Sequence, residues 1–394
     1  MSDQQPIRIL AERSAVPGVL RSLSRRQLLS MTAIAAGGLL LAACSDGGRP
    51  SPGAVARPTG GPLEDQLSIY SWADYDDPAL LSAFTSASGP KIIVDSFGSN
   101  PELVAKLTAA KGTSGYDVVV PSSNYIPQMA ANGLLMKLNK ELLPNLAHMD
   151  TQFAVESDPD SEYAICKAWG TTGFVYDTTV INRELKTWGD FMDAAANEAS
   201  GKTSVLDDPG ELPGIYFWAN GIQWETNDEE HLAAAEDYLV NTLAKHVSVF
   251  DSNPANGTIP QSTAVLIQAW NGSARQGIMA SSTPEKWRWV LGAPNTEIFM
   301  DTWAVSATAP HPEASHAFIN FMLKPESQLA NVAYMGSHTG GAGIEELARA
   351  EGLPYLDMIF YTPEQVATMQ PSTTTEGIAR RVDIYNKMKA AASA

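Results

Sequence analysis

LSIYSWADYDDPALLSAFTSASGPKIIVDSFGSNPELVAKLTAAKGTSGYDVVV, Leu67 to Val120, is the stretch whose reading decides the fold. Leu67–Trp72 is apolar and aromatic and reads as a strand. Asp77–Pro78 then opens a helix: the aspartate caps it, the proline takes the first turn, Leu80, Leu81 and Phe84 share a face, and Gly89 stops it. Lys91–Phe97 is a second strand, and Asn100–Pro101 repeats the capped, proline-led start for a helix with Leu103 and Leu107 one turn apart. Tyr116–Val120 closes the stretch with a continuous apolar run, the pattern of a strand buried on both faces. The order β-α-β-α-β is the unit of an α/β fold, a parallel sheet with helices on its faces. Ligands of open α/β sheets bind off the carboxyl ends of strands. Those ends are Trp72–Tyr75 and Pro121–Tyr125.

Downstream, Tyr163–Thr178 is β-rich and is expected to carry the chain into a second lobe. Thr187–Ala196 and Asp228–His246 read as helices, the latter capped by Asn227 with Leu232, Leu239 and Leu243 along one face. Val247–Asp251 is a short strand, and Thr263–Trp270 leads into WNGS, whose Asn271–Ser273 reads as a turn. Trp287–Leu291 and Glu297–Ser306 read as strands, the second returning the chain to the first lobe. Pro312–Leu323, Pro325–Tyr334 and Glu376–Ala392 complete the chain as helices. No internal repeat is visible. Two crossings between lobes imply a hinge of two strands.

The 394 residues can bury a large core, and 44% hydrophobic with 18% charged residues describes a globular protein. Net charge is −18, and residues 44–394 alone carry 21 basic against 42 acidic side chains. That balance argues against nucleic acid as a partner and draws cations toward the surface. Upstream, SRRQLL (Ser24–Leu29) precedes the apolar run Met31–Ala43. Paired Arg25–Arg26 ahead of a run too short to span a bilayer comfortably reads as a twin-arginine export signal. The run ends in LAAC, similar to the bacterial lipobox, which makes Cys44 the expected acylated first residue of the mature chain. The Gly/Pro/Ser stretch that follows is expected to be a flexible tether. The second cysteine, Cys166, reads as a small buried hydrophobe.

DDPGE, Asp207–Glu211, concentrates carboxylates on a turn: Pro209 fixes φ, Gly210 tolerates φ > 0, and Asp208 and Glu211 can aim at one point. Asp301 lies beside Phe299 and Trp303 in IFMDTW, and Trp270 stands in QAWNGS. Acids among aromatic faces suit an organic ammonium ion, through charge-assisted hydrogen bonds and cation–π contact. An exported hydrolase using Asp208 and Glu211 as an acid/base pair fits poorly, since glycosidase carboxylates flank a bond several ångströms apart. No G-x-S-x-G or H-E-x-x-H motif occurs, and the six histidines have no metal-ligand spacing. No enzyme activity, cofactor or metal is expected.

Seven motifs occur in one order: YSWADY (Tyr70–Tyr75), YDVVVPSS (Tyr116–Ser123), AWGTTGFVYD (Ala168–Asp177), DDPGE, DSNPAN (Asp251–Asn256), AWNGSA (Ala269–Ala274) and IFMDTWAV (Ile298–Val305). In this the chain, from about Leu67 onward, resembles the periplasmic polyamine-binding proteins, the spermidine/putrescine receptors of ABC importers. The resemblance implies a two-lobed type II periplasmic solute-binding fold with the ligand clamped in the interlobe cleft. It implies that Trp72, Tyr75 and Trp270 line the cleft and that Ser122 is a polar cleft residue. Asp208 and Glu211 would hold one primary ammonium, Asp301 an inner nitrogen, and Phe299 would stand where the family carries a Trp. Asn124 stands where an aromatic is common, Ala73–Asp74 replace Thr-Glu, and GSHTGG (Gly336–Gly341) replaces an aromatic-and-proline segment. No residue near Gln370–Thr373 is assigned to the far end of the ligand.

The expected map is therefore a signal peptide at 1–43, a tether at 44–66, a first lobe at 67–170 and 302–345, and a second at 171–301 and 346–394. The expected partners are a polyamine, the permease subunits of an ABC transporter, and the outer face of the cytoplasmic membrane or periplasm through lipidated Cys44, with the protein a monomer. The alternative is a binding protein of the same fold for another small cationic or organic solute.

Overall fold

The computed structural model describes residues 57–110, 114–292, 294–372 and 377–393. Arg25–Arg26, the run Met31–Ala43 and Cys44 lie outside them. The chain runs β1 (Gln66–Trp72), α1 (Pro78–Ser88), β2 (Lys91–Phe97), α2 (Asn100–Ala109), β3 (Val118–Val119), α3 (Ile126–Ala131) and β4 (Leu135–Met136). It continues through β5 (Ala164–Asp177), α4 (Trp188–Ala196), β6 (Thr203–Leu206), α5 (Gly214–Ala219), α6 (Glu229–Asn241), β7 (Val247–Asp251) and α7 (Thr258–Gln261). Then follow β8 (Leu266–Trp270), α8 (Asn271–Ala280), β9 (Trp287–Val290), β10 (Thr296–Ser306), α9 (Pro312–Met322) and α10 (Pro325–Met335). The last elements are α11 (Ile344–Ala350), α12 (Pro363–Val366), β11 (Met369–Pro371) and α13 (Ile378–Ala392).

β1 pairs in parallel with β2 on one side and β3 on the other, as the opening stretch requires. Side chains alternate across this sheet. Leu67, Ile69, Val118 and Val120 pack with Phe84 of α1 and Phe318 of α9 on one face. Tyr70 and Val119 pack with Leu103 and Leu107 of α2 on the other. The same alternation builds a second pair of cores. Phe174 and Tyr176 of β5 meet Trp188, Phe191, Ile384 and Met388, while Val175 meets Ile259, Ile267 and Ile278. Four apolar layers on two sheet halves make a two-lobed α/β body.

β5 and β10 join the halves. They run antiparallel from Ile298↔Thr171 to Ala304↔Ala164, after which β5 passes to β8, starting at Thr172↔Trp270. At its other end β10 meets β3 through Ala304↔Val119. One strand path thus links β2-β1-β3-β10-β5-β8-β6-β7. All fourteen residues of β5 are buried, which explains why so long a stretch shows no polar alternation.

Several local readings change. Ser99 and not Asn100 is the N-cap of α2; Asn100 is its first residue, and its side chain turns to Ser122 instead. Asp228, accepting from Glu230 N at 2.8 Å, caps α6 in place of Asn227, and the helix ends at Asn241 before a separate 3₁₀ turn, Leu243–His246. Asn271–Ser273 is not a turn but the start of α8. Asn271 is buried there, donating to the carbonyls of Met358 (2.8 Å) and Gly336 (3.2 Å). The third strand shrinks to Val118–Val119. Pro58–Gly60, within the stretch read as tether, are fastened to the body: Asn139 Nδ2 donates to Pro58 O (3.0 Å), and Thr59 and Gly60 donate to Glu313. Cys166 is buried, and burial pushes its thiol pKa up.

Candidate functional site

Off the carboxyl ends of β1, β3, β6 and β8 lies a cleft of about 1260 Å³, its open mouth included. All eight residues singled out from the sequence line it: Trp72, Tyr75, Ser122, Asp208, Glu211, Trp270, Phe299 and Asp301.

The DDPGE turn follows β6 directly and splits its carboxylates. Asp207 faces away, accepting from Tyr385 Oη (2.5 Å) and Lys389 Nζ (2.7 Å). Asp208 folds back on its own turn, its Oδ1 accepting from Gly210 N (2.7 Å) and Glu211 N (3.3 Å). Gly210 does not have positive φ; its missing side chain instead leaves room for Asp208, whose Oδ1 lies 3.0 Å from where a Cβ would stand. Glu211 is oriented from two strands: Trp270 Nε1 donates to Oε1 and Thr172 Oγ1 to Oε2, each at 2.9 Å.

Asp301 is held from the other half. Tyr75 Oη donates to Oδ2 (2.8 Å) and Ser122 Oγ to Oδ1 (2.7 Å). Ser122 is itself fixed by Asn100, which donates to its Oγ and accepts from its N, both at 2.9 Å. Behind Tyr75, the buried pair Lys167–Asp76 (3.0 Å) places the ammonium 4.2 Å from the tyrosine ring centre. Trp72 and Trp270 face each other with ring centres 6.2 Å apart.

Burial dominates the electrostatics. It raises Asp208 to about 7, helped by the charge of Glu211 and against the two backbone donors of its turn. It raises Asp301 to about 6, against the donors Ser122 and Tyr75 and the charge of Lys167. Charge-assisted hydrogen bonds therefore do not offset what these carboxylates lose on leaving water. An entering cation would.

Sequence reasoning missed further contributors to the cleft, Glu225 among them. Glu297 shares the β10 face of Phe299 and Asp301, and the spacing of 297, 299 and 301 was the available signal. Arg381 stands on the buried stripe of α13 with Ile384 and Met388, at spacings of three and four. Burial lowers its pKa to about 10. It donates to the carbonyls of Gly210 (3.4 Å), Trp224 and Thr226 (3.5 Å) and lies over the rings of Phe217 and Trp224. Trp224 and Ser372 line it as well, and neither sits in a recognisable motif. Ser372 accepts from Asn124 Nδ2 at 2.9 Å, putting a polar pair at the end where no residue could be assigned. Gln370 is engaged elsewhere, accepting from Trp224 N at 2.6 Å.

The mouth is bridged. Asp74, at φ 53°, accepts from Asn253 Nδ2 (2.7 Å) and Asn256 Nδ2 (2.8 Å), so the turn after β1 touches the DSNPAN loop after β7.

The chain matches the bacterial extracellular solute-binding protein family over residues 79–346. It is 30% identical over 285 residues to the spermidine/putrescine-binding periplasmic protein 1 of Haemophilus influenzae, covering 72% of this chain and 76% of that one. To the spermidine/putrescine-binding periplasmic protein of Escherichia coli it is 32% identical over 264 residues, 66% of this chain and 73% of that one. Among solved structures, the spermidine/putrescine ABC transporter substrate-binding protein PotD of Streptococcus pneumoniae superimposes with a TM-score of 0.67 at 25% identity, over 84% of this chain and 100% of that one. Motif order, fold and comparisons agree, and the chain belongs to the bacterial extracellular solute-binding protein family.

Proposed function

We propose that the chain binds polyamines such as spermidine or putrescine in this cleft, outside the cytoplasmic membrane, and presents them to the permease of an ABC importer. One observation carries the reading: Asp208, Glu211, Glu297 and Asp301 are all buried in a single cleft whose lining, among the described residues, holds one guanidinium, Arg381, and several aromatic rings. Buried charges require partners. A flexible chain of ammonium groups joined by methylenes supplies cations for the carboxylates and apolar surface for Trp72, Trp270 and Phe299. Its relatives are named as binding proteins for such amines.

In this reading Asp208 and Glu211 receive a terminal ammonium. Asp301, aimed by Tyr75 and Ser122, receives an inner nitrogen. The first lobe (67–170, 302–345) and the second (171–301, 346–394) close on the ligand, because only closure brings both sets of groups onto it. The protein acts as a monomeric receptor without turnover. Export through Arg25–Arg26 and anchoring through acylated Cys44 keep it at the membrane that holds its permease.

Calorimetric titration of the purified full chain with putrescine, spermidine and spermine, at low and high salt, tests the reading. Saturable one-to-one binding that persists at high salt supports it. Weak, salt-sensitive binding of many cations would reduce the acids to diffuse charge.

A further inference from the structure

Glu297 is the cleft carboxylate for which the protein supplies least. Asp208, Glu211 and Asp301 each accept two hydrogen bonds. Glu297 is 4% exposed, lines the cleft, and its Oε2 has no hydrogen-bond partner among the described residues. The charged and titratable groups that face it are Glu211 and Asp208 from the turn, Asp301 from its own strand, Tyr125 from the segment after β3, and Arg381 from α13. Arg381 spends its donors on three backbone carbonyls. Burial first, then the negative charges of Glu211, Asp208 and Asp301, push the pKa of Glu297 well up.

We infer that Glu297, buried in the cleft with an unpartnered oxygen, keeps its proton while the cleft is ligand-free and, on giving it up, seats an additional ligand ammonium. Glu297 thereby selects amines with three or more charged nitrogens over diamines. The inference rests on the amine-binding reading above and goes further, to the number of charges the ligand carries. Among the described lining residues, the four buried carboxylates exceed the one guanidinium by three charges when all are ionised, and by two while Glu297 keeps its proton. A diamine matches the second state and leaves the proton in place. A triamine matches the first: its extra ammonium enters, the carboxyl O–H bond breaks, and the proton passes to the buffer.

The test is calorimetry of the full chain with putrescine and spermidine near about pH 7 in two buffers of different ionisation enthalpy, for the wild type, Glu297→Gln and Glu297→Asp. The wild type is expected to release more protons with spermidine than with putrescine. Glu297→Gln keeps the shape without the charge; it should lose that difference and lower the spermidine-to-putrescine affinity ratio roughly tenfold or more. Glu297→Asp should retain the difference. Thermal melting of the ligand-free forms accompanies it: Glu297→Gln should melt no lower than the wild type, because a buried acid beside another acid has been removed. An unchanged ratio and proton count in Glu297→Gln overturns the inference while leaving amine binding intact. So does a large fall in melting temperature, which would make Glu297 a structural residue. A wild type that binds neither amine overturns the amine-binding reading, and this inference with it.

Discussion

The carboxyl group of Asp301 is oriented by two hydroxyls that do not neutralise it, and this separates aim from charge. Asp301→Asn preserves the shape and can still accept from Tyr75 or Ser122, but it presents no charge to an ammonium. Polyamine affinity measured by calorimetry should fall roughly a hundredfold, in line with the loss of one partner from a buried charge pair. The pH dependence has a definite sign. In the ligand-free cleft Asp208 sits at about 7 and Asp301 at about 6, both above their ordinary value of 3.8. A carboxyl whose folded pKa is raised holds its proton more tightly folded than unfolded. The contribution of these two groups to ligand-free stability is therefore greatest below their unfolded values and is lost as pH rises through about 6 to 7. A bound ammonium favours the ionised form. Affinity should accordingly rise with pH up to about 7 and then level, while the ligand-free melting temperature falls over the same window. Titrations and melts across that window check both.

Secondary elements fix the site by their ends and faces. α1 is capped by Asp77, whose Oδ1 accepts from Ala79 N at 2.8 Å, and it buries Leu80 and Phe84 beneath the sheet. Asp77→Ala should cost about 1 kcal/mol in urea unfolding and leave ligand affinity nearly unchanged, because α1 supports β1 from the side away from Tyr70. The turn after β6 is built differently. A Cβ at position 210 would meet Asp208 Oδ1 at 3.0 Å, and no backbone strain is involved. Gly210→Ala should therefore displace a carboxylate and not a fold: affinity falls roughly tenfold while the melting temperature stays close to that of the wild type. The alternation along β10 puts Glu297, Phe299 and Asp301 on the cleft side, so one strand that crosses between lobes carries three of the lining residues.

Closure is a property of the whole molecule. The bridge from Asp74 to Asn253 and Asn256 joins loops that are 179 and 182 residues apart in sequence. Removing it should shift the equilibrium toward an open state and tax affinity by the fraction lost. Asp74→Ala is expected to weaken polyamine binding roughly three- to tenfold. Small-angle scattering should then show a larger ligand-free radius of gyration that contracts to the wild-type value at saturation. The proposed acylation of Cys44 is tested at the same scale: Cys44→Ser should move the protein from the membrane fraction into the soluble exported fraction with its affinity unchanged, and an unchanged distribution overturns that proposal.

Much of this was legible in the sequence because the deciding signals are local. Proline after a capping aspartate at 77–78, apolar runs at 67–72 and 118–120, and the acids of DDPGE each express a short-range preference of the backbone or side chain, and none needs the rest of the chain to be read. The boundaries at Asn100 and Asn271 shifted because tertiary partners took the side chains: Ser122 claims Asn100, and the carbonyls of Gly336 and Met358 claim Asn271, while at α6 the neighbouring Asp228 made the cap. Only the tertiary structure could bring Glu297 against Glu211 and set Arg381, from the last helix, at the same cleft. Those neighbours are 86 and 170 residues from Glu211 along the chain. Whether a carboxylate is a solvated surface charge or a buried one in need of a cation depends on how much water packing removes, and packing is decided by all the elements at once.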